Sequence, residues 1–300
     1  MIDELCHRAG GRVALLIGNG IHLYPNGGQS WNALVERLAR TNGFASPEKA
    51  KNLAMPEFYD LIDLGRPAEN GSKSASQAYP LKRQFCDGME GWQPSAHHQG
   101  IVEWAIRHGS PILTTNFDLT FAKAAQAESH SLFRPRGSRK RASDYYPWEK
   151  YFARVPLDQP CDGFGVWHIN GFISHIRSIR LGLSDYMGCV TRSRPWILDA
   201  REFPHWAAED TWLDILFKMP LVVFGVGLEG QEVWLRWLLI QRANLYKKRG
   251  GARPPAWYVY PVGEDDERQR EKRFFLECLG VEPFEVTDYP AIYDPQHWAG

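Results

Sequence analysis

Short apolar runs that stop at glycine or at a polar cluster recur along this chain and limit what it can fold into. Val13-Ala14-Leu15-Leu16-Ile17 runs into Gly18-Asn19-Gly20, Pro111-Ile112-Leu113 into Thr114-Thr115-Asn116-Phe117-Asp118, and Leu221-Val222-Val223-Phe224 into Gly225-Val226-Gly227. Runs this short, without polar alternation, are the pattern of strands buried on both faces. The polar residues at their ends fall at the carboxyl edge of a sheet, where open α/β folds bind ligands.

Helical patterns separate these runs. Ser30 caps a helix with apolar positions 31, 34, 35 and 38, expected to cover the first strand. Ser95 caps another that ends at Gly109, and further helices are expected from Ser184-Asp185-Tyr186, over Thr211 to Met219, from about Gln231 to Lys248 and over Asp265 to Leu279. Trp257-Tyr258-Val259-Tyr260 and Val281 to Val286 read as strands, Phe172 to Gly182 as strand, turn and strand, and the final residues as a tail. The alternation predicts one α/β domain over residues 1–300 with a doubly wound, mostly parallel, Rossmann-like sheet. It also predicts a helical insertion at about 46–92, interrupted by the polar stretch Pro67 to Ser76, and an irregular loop or lid at about 128–162.

Thirty-five basic and 35 acidic residues cancel, so no overall field holds a polyanion, and nucleic acid is not the expected partner. The run Arg134 to Arg141 is basic, and solvated surface accounts for it better than a nucleic-acid contact. The twelve Trp residues are assigned to packing. The first residues lack a basic region followed by an apolar stretch, and no segment has the length of a membrane span, so a cytoplasmic location is expected. Five scattered cysteines without a CxxC pair fit reduced thiols and leave no zinc ribbon; no metal is expected.

Gly18-Asn19-Gly20 after an apolar strand either cradles a dinucleotide pyrophosphate or is a glycine turn without a dinucleotide role, and Leu23 stands where GxGxxG has its third glycine. On an extended backbone Asn116 and Asp118 share one side and Phe117 turns inward. They either face a ligand together or cap the following helix. His168, in Val166-Trp167-His168-Ile169, is either a base or a core histidine. His97 and His98 are assigned to capping or packing, His22 to the binding loop or the surface, and His175 to a turn, while Asp185 and Tyr186 either line the site or start a helix.

In order and spacing, these motifs resemble the sirtuin-like NAD-consuming family, in particular the bacterial domains associated with defence against phage. The features that carry the resemblance are Gly18-Asn19-Gly20, Pro94 with His97, Thr114 to Asp118, His168-Ile169-Asn170-Gly171, Ser178 to Gly182 leading to Asp185-Tyr186, and Phe224 to Leu228. Two departures are Asn19, where a small residue is commoner, and Asn170, in place of a second histidine. The resemblance implies that NAD is a substrate, cleaved to ADP-ribose and nicotinamide. Gly18, Asn19, Gly20, Thr115, Gly225, Gly227, Leu228 and Glu229 would hold it, with Asn116 and Asp118 beside the nicotinamide ribose and His168 as base. Without a zinc ribbon, acyl-lysine chemistry is disfavoured. Rival expectations are a silent NAD or ADP-ribose sensor and ADP-ribosyl transfer to a macromolecule. Because unrestrained NAD loss is toxic, restraint by homo-oligomer assembly or a regulatory protein partner is expected.

Overall fold

The computed structural model describes residues 1–24, 30–44, 53–66, 79–132, 146–198, 206–229, 232–263 and 267–300. Within them lies an eight-stranded sheet, β1 Ala14–Ile17, β2 Ile112–Thr114, β3 Glu128–Ser131, β4 Lys150–Ala153, β5 Val166–His168, β6 Leu221–Phe224, β7 Ala256–Pro261 and β8 Glu282–Val286. Its order is β3-β4-β5-β2-β1-β6-β7-β8, and the strands from β5 to β8 are all parallel. Numbered by chain order among themselves, those six run 3-2-1-4-5-6, the order of dinucleotide-binding Rossmann sheets. The strand order reverses between β1 and β6, where the Gly18 and Gly225 loops emerge. The molecule is thus an α/β protein with a mostly parallel, Rossmann-like sheet.

Successive strand residues point to opposite faces, and β1 divides accordingly. Ala14 and Leu16 enter one core with the helices α8 Leu183–Leu198, α9 Trp212–Lys218, α10 Val233–Arg249 and α11 Glu267–Cys278. Leu15 and Ile17 enter a second with α1 Ile2–Arg8, the single turn α2 Gly20–Leu23, α6 Ala96–Arg107, α7 Thr120–Ala124 and α12 Pro290–Tyr293. Both sheet faces are covered. In the first core the rings of Trp148 and Trp212 stack 5.5 Å apart, in keeping with a packing role for tryptophan.

A third, smaller core joins α3 Trp31–Thr41, α4 Met55–Leu64 and α5 Pro80–Asp87 to Phe117, Ile179 and Leu181. The helix capped by Ser30 therefore does not cover the first strand. Its apolar stripe, Leu34, Val35 and Leu38, packs against α4 and α5 beyond the carboxyl edge. Asp60 of α4 accepts from the Ser184 amide and hydroxyl at 3.0 Å each, fixing this layer to the start of α8.

Three more expectations are corrected. Phe172 to Gly182 is not strand, turn and strand; it is a loop with a 3-10 turn at Ile176–Ser178. Its backbone groups bond within short turns, Ser178 N to His175 O at 2.7 Å, and to the carboxyl edge, Ile173 N to Phe117 O at 2.8 Å and Arg180 N to Asn170 O at 2.9 Å. The stretch at 128–162 is not wholly irregular, because β3 and β4 pair antiparallel and extend the sheet. The final residues are no tail. The 3-10 turn Pro295–Trp298 packs on α6, with Trp298 buried against Trp104, and α12 packs beside β7. The basic run 134–141 and the polar stretch 67–76 lie outside the described residues. No helix among the described residues is long and apolar enough to cross a membrane.

Candidate functional site

The glycine loops after β1 and β6 meet edge to edge. Gly20 N donates to Gly225 O at 2.8 Å and Gly18 N to Phe224 O at 3.1 Å. A Cβ on Gly20 would sit 2.6 Å from both Gly225 Cα and the Tyr293 hydroxyl, and one on Gly18 would collide with the Gly225 carbonyl. These glycines thus permit close packing of the two loops at the point where strand order reverses. Asn19 is half-buried and starts α2.

From β2, Thr114 Oγ1 donates to Ile17 O at 2.9 Å and accepts from Asn116 N at 3.1 Å, turning the chain off the strand. The Thr115 carbonyl accepts from Asn170 Nδ2 at 3.2 Å. Asn116 Nδ2 faces Gly18 O at 3.4 Å, and its Oδ1 is buried without a hydrogen-bond partner among the described residues. Phe117 turns inward as its position predicts, between Trp31 and Phe85. Asn116 and Asp118 do share a side, but they converge on the chain's own 18–22 segment.

Asp118 is fully engaged. Oδ1 accepts from the Thr120 amide at 2.9 Å and hydroxyl at 2.5 Å, closing the turn into α7, while Oδ2 lies 2.9 Å from His22 Nε2. Burial raises the carboxyl pKa, but the His22 charge and the His22 and Thr120 hydrogen bonds outweigh it and hold Asp118 below the usual carboxylate range. His22 is not on the surface. Its side chain is 7% exposed, with its ring centroid 4.9 Å from those of Trp92 and His98. His98 caps α6, its Nδ1 accepting from Ser95 N at 3.2 Å, and burial with the neighbouring His22 pushes its pKa down to about 3.

His168 ends β5, buried between Phe152 and Phe172. Its Nδ1 lies 2.8 Å from Asn116 O. A carbonyl only accepts, so Nδ1 carries the hydrogen and the neutral ring presents a bare Nε2. Nε2 is buried and has no hydrogen-bond partner among the described residues. Burial lowers the pKa of His168, against the Asn116 hydrogen bond and the Asp118 charge, so the ring is neutral near pH 7. Gly171 makes the following turn possible: its φ is +87°, and a Cβ there would strike Ser178 O.

Across the sheet edge lies a cavity of about 70 Å³ whose walls include Thr115, Asn170, Tyr186 and Glu232. Asp185 does not line it. It accepts from Leu181 N at 3.1 Å and Gly182 N at 3.3 Å and pairs with buried Lys82 at 2.7 Å, so it organises the start of α8. Leu228 is buried at φ 51°, and Gly227 and Glu229 flank it, partly buried. Glu232 gave no sequence signal, because an acid at a helix start reads as ordinary complement to the helix dipole.

The structure brings Gly18, Gly20, Thr115, Asn116, His168 and Gly225 to one edge, joined by the hydrogen bonds above. Among the described residues, no group of three or more His, Cys, Asp or Glu side chains is placed to hold a metal ion. No protein-family model matches the chain, and no curated protein matches it.

Proposed function

We propose that this protein is a NAD glycohydrolase of the sirtuin-like type, cleaving NAD to ADP-ribose and nicotinamide in the cytoplasm, with defence against phage as its setting. The doubly wound winding and the standing of α3–α5 as an insertion belong to the same proposal. The observation that carries it is His168. A neutral imidazole is fixed by the Asn116 carbonyl, and its Nε2, without a partner among the described residues, lies at the carboxyl edge of a 3-2-1-4-5-6 sheet.

In the reaction, the bond between the ribose anomeric carbon and the pyridinium nitrogen breaks, and its electron pair returns to nicotinamide, which leaves neutral and needs no general acid. Water attacks the cation-like carbon, and His168 Nε2 takes a proton from the water or a ribose hydroxyl before returning it to solvent. Asn116 Oδ1, which has no partner among the described residues, orients that hydroxyl or water. The Asp118 charge favours the developing cation, while its hydrogen bonds hold His22 and the turn into α7.

Removing a general base costs about 10²- to 10⁴-fold in rate. His168→Ala and Asn116→Ala are each expected to lose nicotinamide release on that scale while keeping the circular dichroism spectrum and ADP-ribose binding. Wild-type turnover in both variants overturns the site. Dinucleotide binding without product in the wild-type protein favours a sensor, and labelled protein or nucleic acid favours transfer.

A further inference from the structure

The loop after β6 is built around one acid. Leu228 is held in a left-handed conformation that few side chains adopt, with its carbonyl bonded by Arg236 Nη1 at 2.6 Å. The turn closes through Glu232 N to Glu229 O at 3.0 Å. Glu232 Oε2 is buried and has no hydrogen-bond partner among the described residues. Glu232 lines the cavity of about 70 Å³, together with Trp31, Trp234, Tyr186, Thr115 and Asn170.

A buried carboxyl oxygen left unpaired is unusual, and an aromatic-walled cavity with one such acceptor suits a hydroxyl on an apolar ring edge, the pattern of a sugar. We propose that Glu232 binds a ribose hydroxyl of the nucleotide and is a specificity-determining residue of the site. This rests on the dinucleotide reading above. Thr115 adjoins Asn116, and Asn170 lies two residues beyond His168, so the cavity and the His168 site are built on the same two strand ends.

Burial raises the Glu232 carboxyl pKa to about 7, opposed by the Leu228 and Gly227 amides. The charged or titratable groups facing it are Glu229, Lys272, Arg236, Tyr186 and Tyr258. A hydroxyl donating to Oε2 favours the ionised form, so binding at pH 7 is expected to release a fraction of a proton.

The test is calorimetric titration of the full chain with ADP-ribose and its four monodeoxy-ribose analogues, in two buffers of different ionisation enthalpy. One analogue is expected to bind the wild-type protein about 10- to 100-fold more weakly than ADP-ribose, the range for a hydrogen bond to a charged group. Glu232→Ala is expected to bind both equally weakly, the non-additivity of a direct contact. Glu232→Gln, close in shape, is expected to keep the fold and lose the buffer-dependent enthalpy. If Glu232→Ala binds ADP-ribose like the wild type, or the analogue's deficit persists in it, the role of Glu232 is overturned and the hydrolase reading stands. If the wild-type protein binds neither ADP-ribose nor NAD, both are overturned.

Discussion

His22 and Asp118 are 96 residues apart in sequence and 2.9 Å apart in the fold, with both side chains almost wholly buried. Removing one partner of a buried pair costs about 3–5 kcal/mol, so His22→Ala is expected to lose stability on that scale in urea unfolding. Its pH dependence follows from sign. Asp118 titrates below its ordinary 3.8 in the fold, so its contribution is present above pH 3.8 and lost as pH falls further. His98 is depressed from 6.5 to about 3, so the folded state binds fewer protons and stability falls as pH drops below 6.5. Asp118→Asn is expected to flatten the stability profile below pH 4 but not between 4 and 6.5; an unchanged profile contradicts the pairing. His168 is depressed as well, so its neutral form persists above pH 6.5 and turnover should not rise further with pH there on its account. The sequence offered Asn116, Asp118 and His168 through position alone. It placed His22 in the binding loop or on the surface but could not offer its pairing, because a histidine on one short turn carries no sign that an aspartate from another strand end will meet it.

At the scale of elements, β1, β2, β6 and β7 were legible because each is a short apolar run closed by a turn. The helices with a capping side chain were legible too, Ser30 and Thr211 accepting from amides of their own first turns. The loop at 172–182 was not, since its apolar alternation serves the third core and the Ser178 hydroxyl, to which Phe172 N donates at 3.1 Å, whereas a strand would serve a neighbour. The C-terminal turns were hidden for a similar reason: Pro295 and Trp298 show no period, yet Trp298 Nε1 donates to Ile292 O at 2.8 Å and its ring meets Trp104 and Phe224. Trp298→Ala is therefore expected to cost about 3–5 kcal/mol, the range for truncating a buried aromatic. A loss of unfolding free energy below about 0.5 kcal/mol in denaturant unfolding contradicts the packed terminus.

Across the whole molecule, strand order decides where a ligand crevice can lie. The reversal between β1 and β6 brings two glycine loops together, and β2 and β5 deliver Asn116 and His168 beside them. The apolar runs foretold a parallel sheet, while the pairing of β3 with β4 and the third core depended on contacts between distant segments. We propose that this edge cleaves NAD. The direct measurement is chromatography of nicotinamide and ADP-ribose from NAD incubated with the purified chain at several protein concentrations, with His168→Ala alongside. The proposed hydrolysis yields equimolar nicotinamide and ADP-ribose from the wild-type protein, rising with its concentration, and at least a hundredfold less from the variant. Equal product from wild type and variant, or no product at any concentration, contradicts it.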